Sequence, residues 1–331
     1  MNYEESTKIL EEIKKAKNIL LMCHKSPDLD SMISCLLMSD ILDVLNIKSK
    51  IYCVDEIPDL FKVVDSRKLI ETKKDVENID LGTFDLFLAL DVNELSRFGF
   101  ENNFRMTLPV INIDHHARTA NSIKSVTSIL DENFSSTAEA IYFLSEDWHV
   151  ELGKNQLQMV LTAIMNDTNM FCYNSSPKVF KTVATLMQNG ADFEKADTFL
   201  NRRNSLDQLH YWSEMMTNIK VDKECSFAYT TMNYKDFKKF KNILQPTRTV
   251  ADMFITTIKD TNFGIVMLEN KERELNISIR SRDSGFAVID LLKSLGGGGH
   301  TNGGGASIKN MNFSDAVNYV LSAARKYAKK V

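Results

Sequence analysis

NILLMCHKSPDLDSMIS, residues 18–34, is the stretch that decides the fold. Asn18 to Cys23 is a short apolar run that reads as a buried strand, and it breaks at a polar, turn-forming His24-Lys25-Ser26-Pro27-Asp28. A helical pattern follows from about Ser31 to Leu45. Strand, turn and helix in that order open a βαβ unit. Working outward, IYCV (51–54), FDLFLAL (84–90, ending at Asp91) and PVINI (109–113, ending at Asp114) repeat the strand signal between helical stretches. The expectation is a mostly parallel sheet. Ligands bind such sheets beyond the carboxyl ends of the strands, and His24, Asp91 and Asp114 each stand at one. Pro27 restricts its predecessor, so Ser26 is expected to be extended.

A chain of 331 residues, 44% hydrophobic and 25% charged, has material for two cores. No apolar run reaches membrane-spanning length, and the charged N-terminus MNYEESTKILEEIKKAKN lacks the features of a signal peptide. Five scattered cysteines without CxxC spacing read as reduced thiols, which with the rest gives a cytoplasmic expectation and no membrane partner. The net charge of −4 conceals an asymmetry. Residues 1–215 carry 22 Lys and Arg against 33 Asp and Glu, whereas residues 216–331 carry 18 against 11. The basic part is the place for a phosphate-bearing ligand, and the overall balance disfavours long duplex DNA.

In FSSTAEAIYFL, Ser136 and Glu139 have capping-box spacing at a helix start. A helix of about Asn155 to Met165 leads into Asp167. The organisation expected is a domain over residues 1–190, a helical connector over 191–219 and a smaller α/β domain over 220–331. The last carries strands at 225–232, 263–269 and 274–280. Its GGGGHTNGGG (296–305) holds seven of the 13 glycines. Glycine lets a backbone approach a phosphate and aim several N–H groups at it, so a phosphate-binding loop is expected here, with Arg280 as a forked donor.

Four segments carry the chemistry: HKSPDLDSMIS (24–34), LALDVNELSRFG (88–99), NIDHHAR (112–118) and MNDTNMF (165–171). They offer His24, Asp28, Asp30, Asp91, Asp114, His115, His116 and Asp167. Carboxylates with a few imidazoles and no thiolate suit Mn²⁺ or Mg²⁺. The set is large enough for two ions sharing a carboxylate, an arrangement that splits phosphate esters. Asp28 and Asp30 could instead be helix caps. His115 and His116, leaving a strand in succession, are expected to point to opposite sides.

H-x-x-P-D-x-D, then D-x-x-x-x-x-R, D-H-H and D-T-x-x-F, in that order, resemble the DHH phosphoesterases, and SSTAE is similar to a further family element. I-R-S-R followed by G-G-G-G-H-x-x-x-x-G-A resembles their glycine-rich DHH-associated domain. The resemblance implies a parallel-sheet catalytic domain, a smaller C-terminal domain and an active site in the cleft between them. It implies two divalent metal ions, most simply Mn²⁺: His24 and Asp28 on one, Asp30, His115 and Asp167 on the other, with Asp91 bridging. His116 would face the scissile phosphate and Asp114 would orient an imidazole. Arg280, Ser281, Gly297, Gly298, Gly299 and His300 would bind substrate. Gly303 and Gly304 stand where the resemblance leads one to expect Ala or Ser, which predicts a looser loop. The activity implied is hydrolysis of RNAs of about two to five nucleotides to mononucleotides and of 3′-phosphoadenosine 5′-phosphate (pAp) to AMP. Cleavage of cyclic di-AMP or pApA is the alternative, and an inactive nucleotide-binding regulator the remaining one. A homodimer is a further expectation.

Overall fold

The computed structural model describes residues 4–329, apart from 59, 60, 102, 103, 117, 119, 242, 244, 245 and 283–285. The chain divides into two compact units, Met1–Arg203 and Asn204–Val331.

The first unit contains helices α1 (Glu4–Lys15), α2 (Leu29–Val44), α3 (Thr137–Asp147), α4 (Lys154–Asp167), α5 (Pro177–Gln188) and α6 (Phe193–Asn201). Its strands are β1 (Asn18–Cys23), β2 (Lys48–Cys53), β3 (Ile70–Thr72), β4 (Leu86–Leu90), β5 (Val110–Asp114) and β6 (Thr127–Leu130). They form one sheet in the order β3-β2-β1-β4-β5-β6, with every neighbouring pair parallel. The edge strands β3 and β6, IET and TSIL, are too short and polar to register as periodic apolar runs.

Alternate residues of β1 enter different cores. Ile19, Leu21 and Cys23 pack with α2 and α4, while Leu20 and Met22 pack with Phe87, Ala89 and Phe98. Burial on both faces is why β1, β4 and β5 are apolar without alternation. The strand order reverses between β1 and β4, the place where doubly wound sheets open a crevice at their carboxyl ends. His24 leaves β1 there and Asp91 leaves β4.

Ser26 is not extended. Its φ is +52°, and its amide donates to Asp55 Oδ2 at 2.7 Å. This bond to the segment after β2 outweighs the local pre-proline preference, leaving Ser26 in a backbone region that few non-glycine residues adopt.

The second unit contains helices α7 (Leu206–Thr217), α8 (Tyr234–Phe237), α9 (Pro246–Met253), α10 (Ile289–Ser294) and α11 (Phe313–Ala328). Its strands are β7 (Lys220–Asp222), β8 (Phe227–Met232), β9 (Phe263–Lys271), β10 (Glu274–Ser281), β11 (Gly298–His300) and β12 (Gly303–Lys309). They form a mixed sheet in the order β11-β12-β10-β9-β8-β7, in which β8 and β9 are parallel. α10 and α11 bury Leu291, Leu292 and Val320 on one core, and α7 and α9 bury Tyr211, Trp212 and Val250 on another. The stretch 191–219 is therefore divided between the units. Ala196 of α6 joins the core of α2 and α4, while Tyr211, Trp212 and Met215 of α7 join that of β8 and β9. Each helix is amphipathic and buries its stripe in the nearest core. Among the described residues, no helix is long and apolar enough to cross a membrane.

Candidate functional site

In the first unit, side chains from His24 to Asp167 in the sequence meet at the carboxyl ends of β1, β4 and β5. Three groups have ligand atoms within 4.8 Å of one another: His24, Asp28 and Asp91; Asp30, His115 and Asp167; and Asp91, Asp114, His115 and His116. Asp91 is 3% exposed, and its two oxygens face different imidazoles. Oδ2 lies 3.6 Å from His24 Nε2, while Oδ1 lies 3.5 Å from His115 Nε2 and 3.8 Å from His116 Nδ1. At φ +61°, Asp91 turns the chain sharply at the end of β4 and aims its carboxylate across the sheet ends.

The two aspartates of HKSPDLD take different positions. Asp28 is the N-cap of α2, accepting from Ser31 N at 3.1 Å with the same Oδ1 that lies 3.5 Å from His24 Nε2. Capping and proximity to His24 are thus combined in one carboxylate. Asp30 is inside the helix and fully buried, and it caps another helix. Its Oδ2 accepts from Thr137 N at 2.7 Å and its Oδ1 from Ala138 N at 3.0 Å, the first amides of α3.

His115 and His116 lie just past β5, where strand alternation no longer applies. Both rings turn toward Asp91, with centroids 4.3 Å apart. The expected opposition of the two is therefore absent. Asp114 Oδ1 accepts from His116 N at 3.1 Å and lies 2.7 Å from His116 Nδ1, which turns this ring back over the strand end. Asp167 ends α4 with an oxygen 3.4 Å from His115 Nε2. After Thr168 come Asn169, Met170 and Phe171, all left-handed, a turn fastened by Phe171 N donating to Thr168 Oγ1 at 3.0 Å.

The electrostatics follow from crowding carboxylates in a buried place. Burial, then the charges of Asp30, Asp28, Asp167 and Asp114, hold the Asp91 carboxyl well above its ordinary range. Burial likewise raises Asp30, against the pull of His115 and of the Ala138 amide. Burial also pushes Asp114 upward, but the His116 hydrogen bond and the charges of His116 and His115 prevail and lower it. Burial and the neighbouring His116 lower His115. For His116 burial is outweighed by the bond and charge of Asp114, and its pKa rises.

This set fits divalent cations. His115 Nε2 is buried with no hydrogen-bond partner, although carboxylate oxygens of Asp30, Asp91 and Asp167 lie 3.4–3.9 Å away. Ligand atoms about 2.1 Å from an octahedral ion stand about 3 Å apart, close to this spacing. Such a buried nitrogen is costly in water-free surroundings and satisfied by a metal. Asp114 Oδ2 is a second buried atom without a partner, as are both side-chain polar atoms of Asn112 below it on β5.

In the second unit the glycine-rich stretch is a β-hairpin rather than a loop. Gly298, Gly299 and His300 pair with Gly305, Gly304 and Gly303. A Cβ at Gly304 would stand 2.2 Å from Gly298 O, and one at Gly303 would stand 2.5 Å from Arg280 Cδ. Glycine at these two positions tightens the hairpin instead of loosening it. A Cβ at Gly299 would lie 2.3 Å from Gly303 O, and at Gly297 2.3 Å from Gly305 O, whereas at Gly298 it would meet nothing within 4 Å. Arg280 is anchored: Nε donates to Asp252 Oδ1, and Nη1 to the carbonyls of Ile279 and Gly304 at 3.0 and 3.2 Å. Ser281 is buried at the end of β10, its amide donating to Asn302 O at 2.7 Å. The His300 side chain lies outside the described parts of the chain.

Sequence reasoning missed Thr137. It read Ser136 and Glu139 as a reciprocal capping box, and Ser136 Oγ does accept from Glu139 N at 3.1 Å. Glu139 instead turns to the amide and hydroxyl of Ser135, each at 2.8 Å, and to Thr182 Oγ1 at 3.0 Å. Thr137 Oγ1 donates to Asp91 Oδ1 at 3.2 Å. The only sequence signal was its place at the start of a helix in SSTAE.

Residues 18–164 match the profile of the DHH family, N-terminal domain. The chain is 26% identical over 336 residues to the bifunctional oligoribonuclease and PAP phosphatase NrnA of Thermus thermophilus, spanning 98% of this chain and 95% of that protein. It is 22% identical over 343 residues to the cyclic-di-AMP phosphodiesterase PdeA of Listeria monocytogenes, spanning 98% of this chain and 50% of that one. An exopolyphosphatase-related protein from Bacteroides fragilis has the same fold, with a TM-score of 0.87 at 22% identity over 98% of this chain and 97% of its own.

Proposed function

We propose that this chain, whose residues 18–164 match the DHH-family profile, is a metal-dependent phosphohydrolase of very short oligoribonucleotides and of pAp. The observation that carries this reading is Asp91, whose two oxygens face two separate imidazole and carboxylate groups. That is the disposition of a carboxylate shared by two cations. His24 and Asp28 would hold one ion, Asp30, His115 and Asp167 the other, and Asp91 both. Mn²⁺ and Mg²⁺ suit these oxygen and imidazole donors. Bound ions would supply Lewis-acid polarisation of the phosphoryl oxygens and acidification of water.

The chain's own residues do the rest. Asp114 fixes the His116 ring through Nδ1 and raises its pKa against burial, which favours the protonated ring, whose Nε2 proton can be directed at a phosphoryl oxygen gaining charge. In the second unit, the hairpin amides around Gly297, Gly298 and Gly299, with Arg280, Ser281 and His300, are the proposed holders of a nucleotide phosphate. Gly298 leaves open space over the hairpin, and the anchored Arg280 is a pre-organised cation beside it.

Similarity to the Thermus relative over nearly the whole of both chains supports the oligoribonuclease and pAp reading. Similarity to the Listeria phosphodiesterase supports cyclic di-AMP or pApA as the second. The test is chromatography of products formed with Mn²⁺ from pAp, pApA, a five-nucleotide RNA and cyclic di-AMP offered in parallel. AMP from pAp and mononucleotides from the RNA, with cyclic di-AMP intact, are expected. Rapid opening of cyclic di-AMP moves the protein to the second reading, and no turnover of any of the four defeats both.

A further inference from the structure

We infer that Thr137 and the first turn of α3 position the metal centre, Thr137 by fixing the rotation of Asp91 so that each carboxylate oxygen serves a different cation. The inference rests on the two-cation reading above. Asp91 is itself left-handed, and its side chain could rotate about its terminal torsion, which has no sharp staggered wells. The Thr137 hydroxyl, 3.2 Å from Oδ1, restricts that rotation. It does so from a rigid base. Thr137 is fully buried at the first position of α3, and its amide and that of Ala138 are held by the two oxygens of Asp30. Glu139, two residues on, is fully buried and ties the same turn to Ser135 and to Thr182 of α5.

One helix start therefore touches a proposed ligand of each kind, the shared Asp91 and the single-ion Asp30. The first-turn amides, which have no partner inside the helix, are used to orient Asp30. A hydroxyl at position 137 is the chemical requirement. A methyl-bearing isostere keeps the packing and loses the donor.

Mn²⁺ titration by calorimetry, with thermal melting of the metal-free protein, separates positioning from packing. Wild type is expected to take up two ions. Thr137→Val should weaken one of them about tenfold or more, the size of effect expected when a ligand's orienting partner is lost, and Thr137→Ser should restore it. Ser145→Ala removes a buried hydrogen bond to Tyr142 O at the far end of α3, so it should lower the melting temperature without changing Mn²⁺ affinity. If Thr137→Val fails to fold, Thr137→Ala carries the same comparison with Thr137→Ser. Two ions bound with wild-type affinity by the Val or Ala protein would overturn the inference, as would a Ser protein no better than the Val. Absence of Mn²⁺ binding by wild type would instead defeat the two-cation reading.

Discussion

The carboxylate–imidazole cluster of the first unit and the glycine hairpin of the second are built in opposite ways. The cluster gathers residues from separate segments of the chain, and burial together with the charges of neighbouring carboxylates raises the pKa of Asp91. The hairpin is continuous in sequence, and its parts fit without room for a methyl group at Gly304. The first stores electrostatic cost at the proposed site of chemistry, and the second spends backbone freedom on close packing. Substitution should therefore act in opposite directions on stability.

Asp91→Asn is the sharpest way to break this comparison. It should lower kcat by about a thousandfold or more while raising the melting temperature of the metal-free protein, because one charge leaves a crowded anionic site. A stable, active Asn protein would show that the cluster is not the site of chemistry. Gly304→Ala is the counterpart in the second unit. Forcing a Cβ to 2.2 Å from Gly298 O should cost about 1–3 kcal/mol, read by denaturant unfolding.

The pH dependence of the metal-free protein gives a smaller, signed effect. A carboxyl whose folded pKa is raised binds more protons folded than unfolded. Its contribution to stability is thus full below its ordinary value of 3.8 and is lost as pH rises through the raised one. Melting of wild type and Asp91→Asn from pH 4 upward should therefore diverge, with the wild type falling behind. Mn²⁺ should close the gap, since it binds the ionised form. Parallel curves would remove Asp91 from the account of stability. The smallest effect belongs to Gly298→Ala, where a methyl meets open space. Stability should change by less than about 0.5 kcal/mol, and a rise in KM for pAp would mark the face that meets substrate.

Much of the first unit was legible in the chain because its signals are local. Apolar runs buried on both faces mark β1, β4 and β5, and polar residues directly after them fall at the sheet's carboxyl ends. Edge strands β3 and β6 were not legible, since three or four half-exposed residues carry no period. GGGGHTNGGG was legible as unusual, yet not as a hairpin. Glycine allows many conformations, and the choice was made by pairing with β10 and by contact with Arg280 and Leu292.

By itself, the sequence determined the alternation of strand and helix, the acidic and basic halves, and the residue types available for chemistry, because each depends on neighbours along the chain. The tertiary structure alone decided that Asp28 both caps α2 and approaches His24. It decided too that Asp30 caps α3 across 107 positions, that His115 and His116 turn to the same side, and that Arg280 is held by Asp252. A hydrogen bond between distant segments is set by where the sheet and helices pack, and no local propensity encodes that.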